Sequence, residues 1–278
     1  MAQRPIAEQV SQRSSERSAG RAFLGVSALL FAASAALIVM WSSAAPGMRG
    51  MAMSGGASML WMPMPGQTWL GMATSFTAMW SVMMVAMMLP SLAPMLWRYR
   101  LSLDATGTRH PGGLSALAGL AYFFLWAALG VIAFALGALF TTAQMRVPAL
   151  AQLAPAATGL VMLAAGALQF SAWKSRHLAC CRPAAREAYG ACGGAPAPGV
   201  RAALRHGLRL GRHCVLCCAG LTASLLAVGV MDVRAMTLVG IGITAERLLP
   251  GGARVARVVG LVAIGAGVFF IARAAGLG

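Results

Sequence analysis

The stretch from Leu114 to Phe140 reads LSALAGLAYFFLWAALGVIAFALGALF and contains no charged side chain. An α-helix needs roughly 20 apolar residues to cross about 30 Å of bilayer hydrocarbon. Because lipid offers no partner for backbone N–H and C=O groups, a spanning segment has to satisfy them internally, as a helix does. The stretch is therefore predicted to be a transmembrane helix.

Other stretches of the chain repeat this pattern. The clear ones cover about 21–41, 70–97, 153–173, 214–230 and 257–275, and a shorter one covers about 235–249. The whole chain is 59% hydrophobic and only 10% charged, against roughly 25% charged in soluble domains. We predict an all-α fold, a polytopic transmembrane helical bundle of about seven spans, six clear and one short. The short segment is either spanning or re-entrant.

The basic residues that give the chain its net charge of +16 are concentrated on one predicted side of the membrane. With the N-terminus in the cytoplasm, 18 of the 22 basic residues fall in inner segments, as the positive-inside rule requires. Basic residues therefore face the cytoplasm and anionic lipid headgroups, and we expect no nucleic-acid partner. The apolar run from Ala22 to Trp41 is longer than the roughly 7–15 residues of a cleavable signal, which predicts an uncleaved first span in a multi-pass protein of the plasma membrane.

The rest of the organisation follows from composition. Residues 1–20 are polar and without periodicity, which predicts a disordered cytoplasmic tail. Residues 21–278 form a single transmembrane domain. It carries a Met-rich outer loop at 44–68 and a basic, Cys-containing inner loop at 174–212.

All six cysteines lie within 39 residues on the side predicted to be cytoplasmic. A reducing compartment keeps thiols free, so we expect metal or redox chemistry and no structural disulfides. In HCVLCC (213–218), helical spacing brings His213, Cys214, Cys217 and Cys218 to neighbouring faces. Thiolates select Cu(I) and Zn, and an imidazole can complete the shell. These four residues are candidate metal ligands; the alternative is that the cysteines pack as small apolar residues.

A second set of thiols lies upstream in the inner loop. Cys180, Cys181 and Cys192, with His177, either form a second relay site or have no metal role. A loop rich in Gly and Pro does not fix their geometry.

Methionine is concentrated in one part of the chain. Of 19 methionines, 14 lie between Met40 and Met95, in the outer loop and the second span. Thioethers are uncharged soft ligands suited to Cu(I), although Met also serves as a flexible filler of helix contacts. In the second span, helical projection gives two stripes, and the candidate ligands among their members are Met83, Met84, Met87 and Met88.

Glu246 is the only acidic residue within or next to a predicted span, apart from Asp232 in a tight outer turn. Ionisable groups at membrane depth are costly and often functional. Glu246 is therefore a candidate ligand, proton acceptor or gating ion pair. The alternative is a position at the inner interface beside Arg247.

Three segments carry a resemblance to a known family. WSVMMVAMMLPSLAPM (80–95), HGLRLGRHCVLCC (206–218) and ERLLP (246–250) together resemble a bacterial family of predicted metal-binding integral membrane proteins, some of whose members are labelled copper chaperones. The family pattern commonly has Gly between the cysteines and Trp after them, where this chain has Leu216 and Ala219. The resemblance implies metal binding in a bacterial inner membrane.

The function predicted is binding of a soft metal ion, most suitably Cu(I) with Zn as the second choice, for transport or for delivery to a cytoplasmic or membrane acceptor protein. We expect the protein not to be an enzyme. One rival is a membrane thiol oxidoreductase that uses Cys214 and Cys217 as a C-x-x-C pair. The other is a structural or assembly subunit of a membrane complex. We also expect the basic residues of the inner loop to lie beside the metal path and not in it, because a cation repels a cation.

Overall fold

A computed structural model describes residues 6–44, 68–182, 192, 197–230 and 232–276. Within these ranges the long elements are helices and no strand occurs, which confirms the all-α bundle. The helices are α1 (Ile6–Ala44), α2 (Trp69–Ala105), α3 (Pro111–Arg146), α4 (Pro148–Leu168), α5 (Ala172–Cys180), α6 (Val200–Val228), α7 (Val233–Leu248) and α8 (Gly252–Ala274).

The number of candidate spans is smaller than the seven predicted. Five helices, α1, α2, α3, α6 and α8, are long and apolar enough to cross a membrane, and α4 with α5 adds a sixth if the bent pair is one span. The axis turns by 69° between α4 and α5, because the Ser171 hydroxyl accepts the Lys174 N–H and begins a new helix. Helix α7 has 16 residues, about 24 Å at 1.5 Å per residue, which is short of a full span.

Two predicted segments differ from the structure in other ways. Helix α1 begins at Ile6, so residues 6–20 are helical where the sequence predicted a disordered tail. Helix propagation costs little once a long helix has been nucleated, and the apolar span that follows provides the nucleus. The predicted inner loop at 174–212 contains α5 and the first turns of α6. Most of the Met-rich loop at 44–68 lies outside the described residues.

Helix α3 shows how the bundle meets lipid. Large apolar side chains such as Leu120 and Phe124 are exposed, whereas Ala118, Tyr122 and Trp126 are buried against neighbouring helices. Lipid tails are as apolar as leucine, so exposed leucine costs nothing in the bilayer, and the inner face can use small and polar residues. The Trp126 carbonyl accepts a hydrogen bond from Trp80 Nε1 of α2 at 2.8 Å.

Helices α4 and α8 pack through glycines. A Cβ on Gly159 would lie 2.8 Å from the Gly267 carbonyl oxygen, and one on Gly166 would lie 2.8 Å from that of Gly260. Backbones this close admit only small residues, the usual device of transmembrane helix pairs.

The ends of several helices meet at one end of the bundle, here called the α5 end. Tyr99 near the end of α2 stacks on His206 near the start of α6, with ring centroids 4.1 Å apart. Phe23 of α1 contacts Trp97, and Arg182 after α5 donates to the Leu249 carbonyl at 2.8 Å. The candidate metal centre lies between this end and the middle of the bundle.

Candidate metal centre

Two predicted ligands, Cys214 and Cys218, share a buried arginine. Nη2 of Arg247 in α7 lies 2.9 Å from the Cys214 sulfur and 3.0 Å from the Cys218 sulfur. Nη1 donates to the Ser91 hydroxyl of α2 at 3.0 Å. The arginine is 2% exposed. A buried guanidinium requires partners that accept its protons, and here two sulfurs and a hydroxyl fill that role.

Cys214 has two further partners that link α6 to α3 and α2. The Tyr122 hydroxyl lies 2.7 Å from its sulfur, and the Met88 thioether lies 3.8 Å from it. Both partners are fully enclosed. One predicted methionine therefore contacts a predicted thiol.

Four thiols and one thioether share one buried region. Cys181, Cys214, Cys217, Cys218 and Met88 are all buried and belong to a single core of packed side chains. Within it, Arg247 Nη2 joins the Cys214 and Cys218 sulfurs, and the Met88 thioether lies against Cys214. We call these five residues the sulfur chain, in the order Cys181, Cys217, Cys218, Cys214 and Met88. Soft donors from the C-terminal end of α5, from α6 and from the middle of α2 therefore meet in one core.

Glu246 lies beside the sulfur chain and not in it. Its carboxylate accepts from Lys174 Nζ at 2.7 Å and from Gln169 Nε2 at 3.0 Å. The same Lys174 ammonium donates to the Cys217 carbonyl at 2.9 Å. Of the three roles open to Glu246, this contact matches the ion pair, and the carboxylate is buried and not at a solvated interface.

Two basic residues lie inside the bundle and contact cysteine residues. Lys174, from the predicted basic inner loop, donates to the Cys217 carbonyl, and Arg247 of α7 lies against the Cys214 sulfur. The bend between α4 and α5 turns Lys174 towards α6, and α7 ends with Arg247 directed at α2 and α6. The Lys174 ammonium pairs with Glu246, and the Arg247 guanidinium donates to two sulfurs and to the Ser91 hydroxyl.

A second cluster forms at the α5 end. Cys180 and Cys192 are joined by a disulfide, and their sulfurs lie within 4.8 Å of a ring nitrogen of His213 and of each other. His177 Nδ1 lies 3.1 Å from His213 Nδ1. We call these four residues the histidine–disulfide cluster. His213 therefore faces this cluster and not the sulfur chain, since neighbouring helical positions point about 100° apart.

The disulfide corrects the expectation that every cysteine is a free thiol. That expectation was based on the reducing compartment predicted for this side of the membrane. The bond instead reflects how close the fold brings Cys180 and Cys192. Cys192 lies with its Cα 5.6 Å from that of Cys180, within the usual range for a disulfide. The described free cysteines are Cys181, Cys214, Cys217 and Cys218, so the C-x-x-C pair of the oxidoreductase hypothesis is not bonded.

The other candidate methionines belong to the buried core. Met83 and Met84 are enclosed in the same apolar cluster as Met88. Met87 borders an apolar groove between α1, α2 and α7. The methionine stripes of α2 therefore pack against neighbouring helices, and Met88 alone among these four has a described sulfur contact with a cysteine.

Sequence reasoning missed several residues of the centre, and each had a signal. Lys174 is the only lysine of the chain, at the end of a predicted span. Tyr122 is one of two hydroxyl side chains in the uncharged stretch 114–140, and Arg247 stands next to the candidate residue Glu246. Cys181 was grouped with the loop thiols, because nothing in the spacing separates it from Cys180.

A family model described as "PpoB2: Copper chaperone" matches residues 77–270. The chain belongs to this family. No curated protein and no solved structure matches the chain. The match covers both the sulfur chain and the histidine–disulfide cluster. Together with the grouping of Cys180, Cys192 and His213, it indicates a metal-binding protein of the membrane.

Proposed function

We propose that this protein binds Cu(I) in the sulfur chain and passes it through the membrane part of the bundle to an acceptor protein. The single observation that carries the proposal is the burial of four free thiols and the Met88 thioether in one core, with Cys214 against Met88 and joined to Cys218 through Arg247. Cu(I) prefers thiolate and thioether ligands and accepts low coordination numbers. Adjacent soft donors allow an ion to move by exchange of one ligand at a time.

The buried Arg247 can balance the negative charge of a thiolate in the sulfur chain before a metal ion binds. A thiolate is the form that binds metals, and the guanidinium provides it with a cationic partner inside the bundle. Cu(I) bound between the Cys214 and Cys218 thiolates leaves one net negative charge, which the Arg247 guanidinium beside them balances while it keeps its bond to Ser91. The cationic arginine therefore has an anionic partner with and without the metal.

The orientation proposed has the α5 end in the cytoplasm of a bacterium, the N-terminus on the same side, and the chain in the inner membrane. Most basic residues of the described ranges belong to this end, in line with the positive-inside rule. Methionines of the 44–68 loop would collect the ion on the opposite side, and an acceptor protein would take it at the α5 end. No catalysed reaction is part of this proposal.

The test is Cu(I) binding to the reduced, detergent-solubilised full chain under competition with a chromophoric Cu(I) chelator. Removing a single ligand should lower affinity at least about tenfold, since even partners that only orient a ligand cost about 10–100-fold. We expect this loss for Cys214→Ser and Cys218→Ser. Ala219→Ser, which adds the same hydroxyl to the same helix without removing a sulfur, should bind as the wild type does.

Equal Cu(I) affinity in all four proteins would contradict the proposal, as would a wild-type chain that takes up no Cu(I). Cu(I) retained only by the variants with intact Cys214 and Cys218 supports it. Zn²⁺ in the same assay tests the choice of metal.

A second candidate function is thiol oxidation in the membrane, favoured by the Cys180–Cys192 disulfide. The oxidoreductase hypothesis drawn from the sequence used Cys214 and Cys217, whereas this candidate function uses Cys180 and Cys192. It predicts that the oxidised chain transfers its disulfide to a dithiol substrate with turnover. A copper chaperone does not need turnover, so an assay of substrate oxidation by catalytic amounts of protein separates the two.

A further inference from the structure

The histidine–disulfide cluster has the donor atoms of a metal site. Two sulfurs and a ring nitrogen of His213 already lie within 4.8 Å of one another. His177 lies against His213 and supplies a further imidazole at the same place. Two cysteines with one or two histidines are a ligand set that binds Zn²⁺ or Cu(I). Only the bond between the two sulfurs prevents them from acting as thiolate ligands.

The cluster also lies next to the sulfur chain at two points. Cys180 precedes Cys181, and His213 precedes Cys214. In each pair one residue belongs to the cluster and the other to the buried chain. His213 and Cys192 are partly exposed, whereas the chain is enclosed. The cluster is therefore on the accessible side of the chain.

We propose that the Cys180–Cys192 disulfide is a redox gate on a second metal site formed by Cys180, Cys192 and His213. In the oxidised form no thiolate is available and the site is closed. A dithiol reductant opens it by exchange: its two thiols become a disulfide, and the Cys180–Cys192 bond accepts two electrons and two protons to give two thiols. Binding of a thiophilic d¹⁰ cation, Cu(I) or Zn²⁺, then releases the two thiol protons to solvent.

The existence of this site does not depend on Cu(I) binding in the sulfur chain. Only the transfer of the ion from this site to Cys181 or Cys214 rests on the proposed function. The redox gate and the proposed function can therefore be disproved independently of each other.

The experiment compares the full chain in detergent before and after reduction. Protein purified without reductant is checked for the Cys180–Cys192 bond by peptide mass spectrometry, and a second portion is reduced with dithiothreitol and desalted without oxygen. Each is incubated with Cu(I) held by ascorbate, or with Zn²⁺, and bound metal per chain is measured by elemental analysis. We expect the reduced protein to bind one ion more than the oxidised protein.

Variants assign the additional ion to the gate. Cys192→Ser removes the bond and one ligand, so metal uptake should no longer respond to reduction. His213→Asn leaves the disulfide in place and should weaken the additional ion at least about tenfold. Cys214→Ser with Cys218→Ser should retain the additional ion, because both changes lie in the sulfur chain.

Three results would overturn the gate. One is equal metal content in the oxidised and reduced wild type. Another is an additional ion that His213→Asn and Cys192→Ser both keep. The third is a chain in which Cys180 and Cys192 form no bond even with oxidised glutathione. If the additional ion appears while Cys214→Ser and Cys218→Ser leave Cu(I) affinity unchanged, the gate stands and the proposed function fails.

Discussion

The sulfur chain and the α4–α8 pair are both interior parts of one membrane bundle, but they differ in the polarity of the side chains around them. Helices α4 and α8 meet through glycines and apolar side chains. The sulfur chain is surrounded by a buried arginine, a buried lysine and a buried carboxylate. Charges in such a place are costly. The comparison therefore separates a scaffold that needs only close packing from a centre that keeps charges for its function.

The largest effect should come from breaking the ion pair beside the sulfur chain. Lys174→Met leaves Glu246 buried with only Gln169 as partner and should destabilise the protein by about 3–5 kcal/mol. Replacing both partners, Lys174→Met with Glu246→Gln, should recover more than half of that loss, because no charge remains buried. Denaturant unfolding in detergent measures both. A double variant as unstable as Lys174→Met would mean that the pair is not what costs stability.

The next effect tests the scaffold. Gly166→Ala places a methyl group 2.6 Å from Ile264 Cγ1 and 2.8 Å from the Gly260 carbonyl oxygen, which should cost about 1–3 kcal/mol through overpacking. Gly265→Ala is the matched control in α8, since a Cβ there meets nothing within 4 Å. Unfolding experiments should show the loss for Gly166→Ala alone. Because the sulfur chain is elsewhere, Cu(I) affinity should not change in either variant.

A smaller effect should come from Tyr122→Phe, which removes the hydroxyl bonded to Cys214 and should cost about 1 kcal/mol of stability. Tyr99→Phe is the control, because the Tyr99 hydroxyl is buried without a hydrogen-bond partner among the described residues. It should be neutral or slightly stabilising. The same loss in both variants would assign the effect to the ring environment and not to the thiol.

The smallest effect on stability should come from Met88→Leu, a volume-conserving change that we expect to cost less than the about 1 kcal/mol of Tyr122→Phe. It removes the thioether at the end of the sulfur chain, so Cu(I) affinity should fall while the fold is kept. Met95→Leu changes a buried methionine of the same helix for which no sulfur contact is described, and it should leave the affinity unchanged. Chelator competition measures both affinities. Equal affinities would limit the metal site to thiols.

The sequence predicted the candidate centre in part, and particular residues show why only in part. The 213–218 segment identified Cys214, Cys217 and Cys218 by helical spacing, and the α2 stripes included Met88. The same spacing assigned His213 to that group, but the structure turns it towards Cys180 and Cys192. The spacing of residues on one helix predicts the direction in which each side chain points. Which neighbouring helix that side chain meets depends on how the helices pack.

What the sequence by itself determined is the all-α membrane bundle and the presence of soft ligands. Both depend on local properties, namely the length of apolar runs that lipid requires to be helical and the chemistry of Cys and Met side chains. Tertiary structure decided that Lys174 and Arg247 enter the centre, that Glu246 forms an ion pair, and that Cys180 is bonded to Cys192. The contacts of Lys174 and Arg247 join residues 72 and 33 positions apart, so they depend on how α5, α6 and α7 meet. Cys192 is only 12 residues from Cys180, but the path of the chain after α5 decides that the two sulfurs meet.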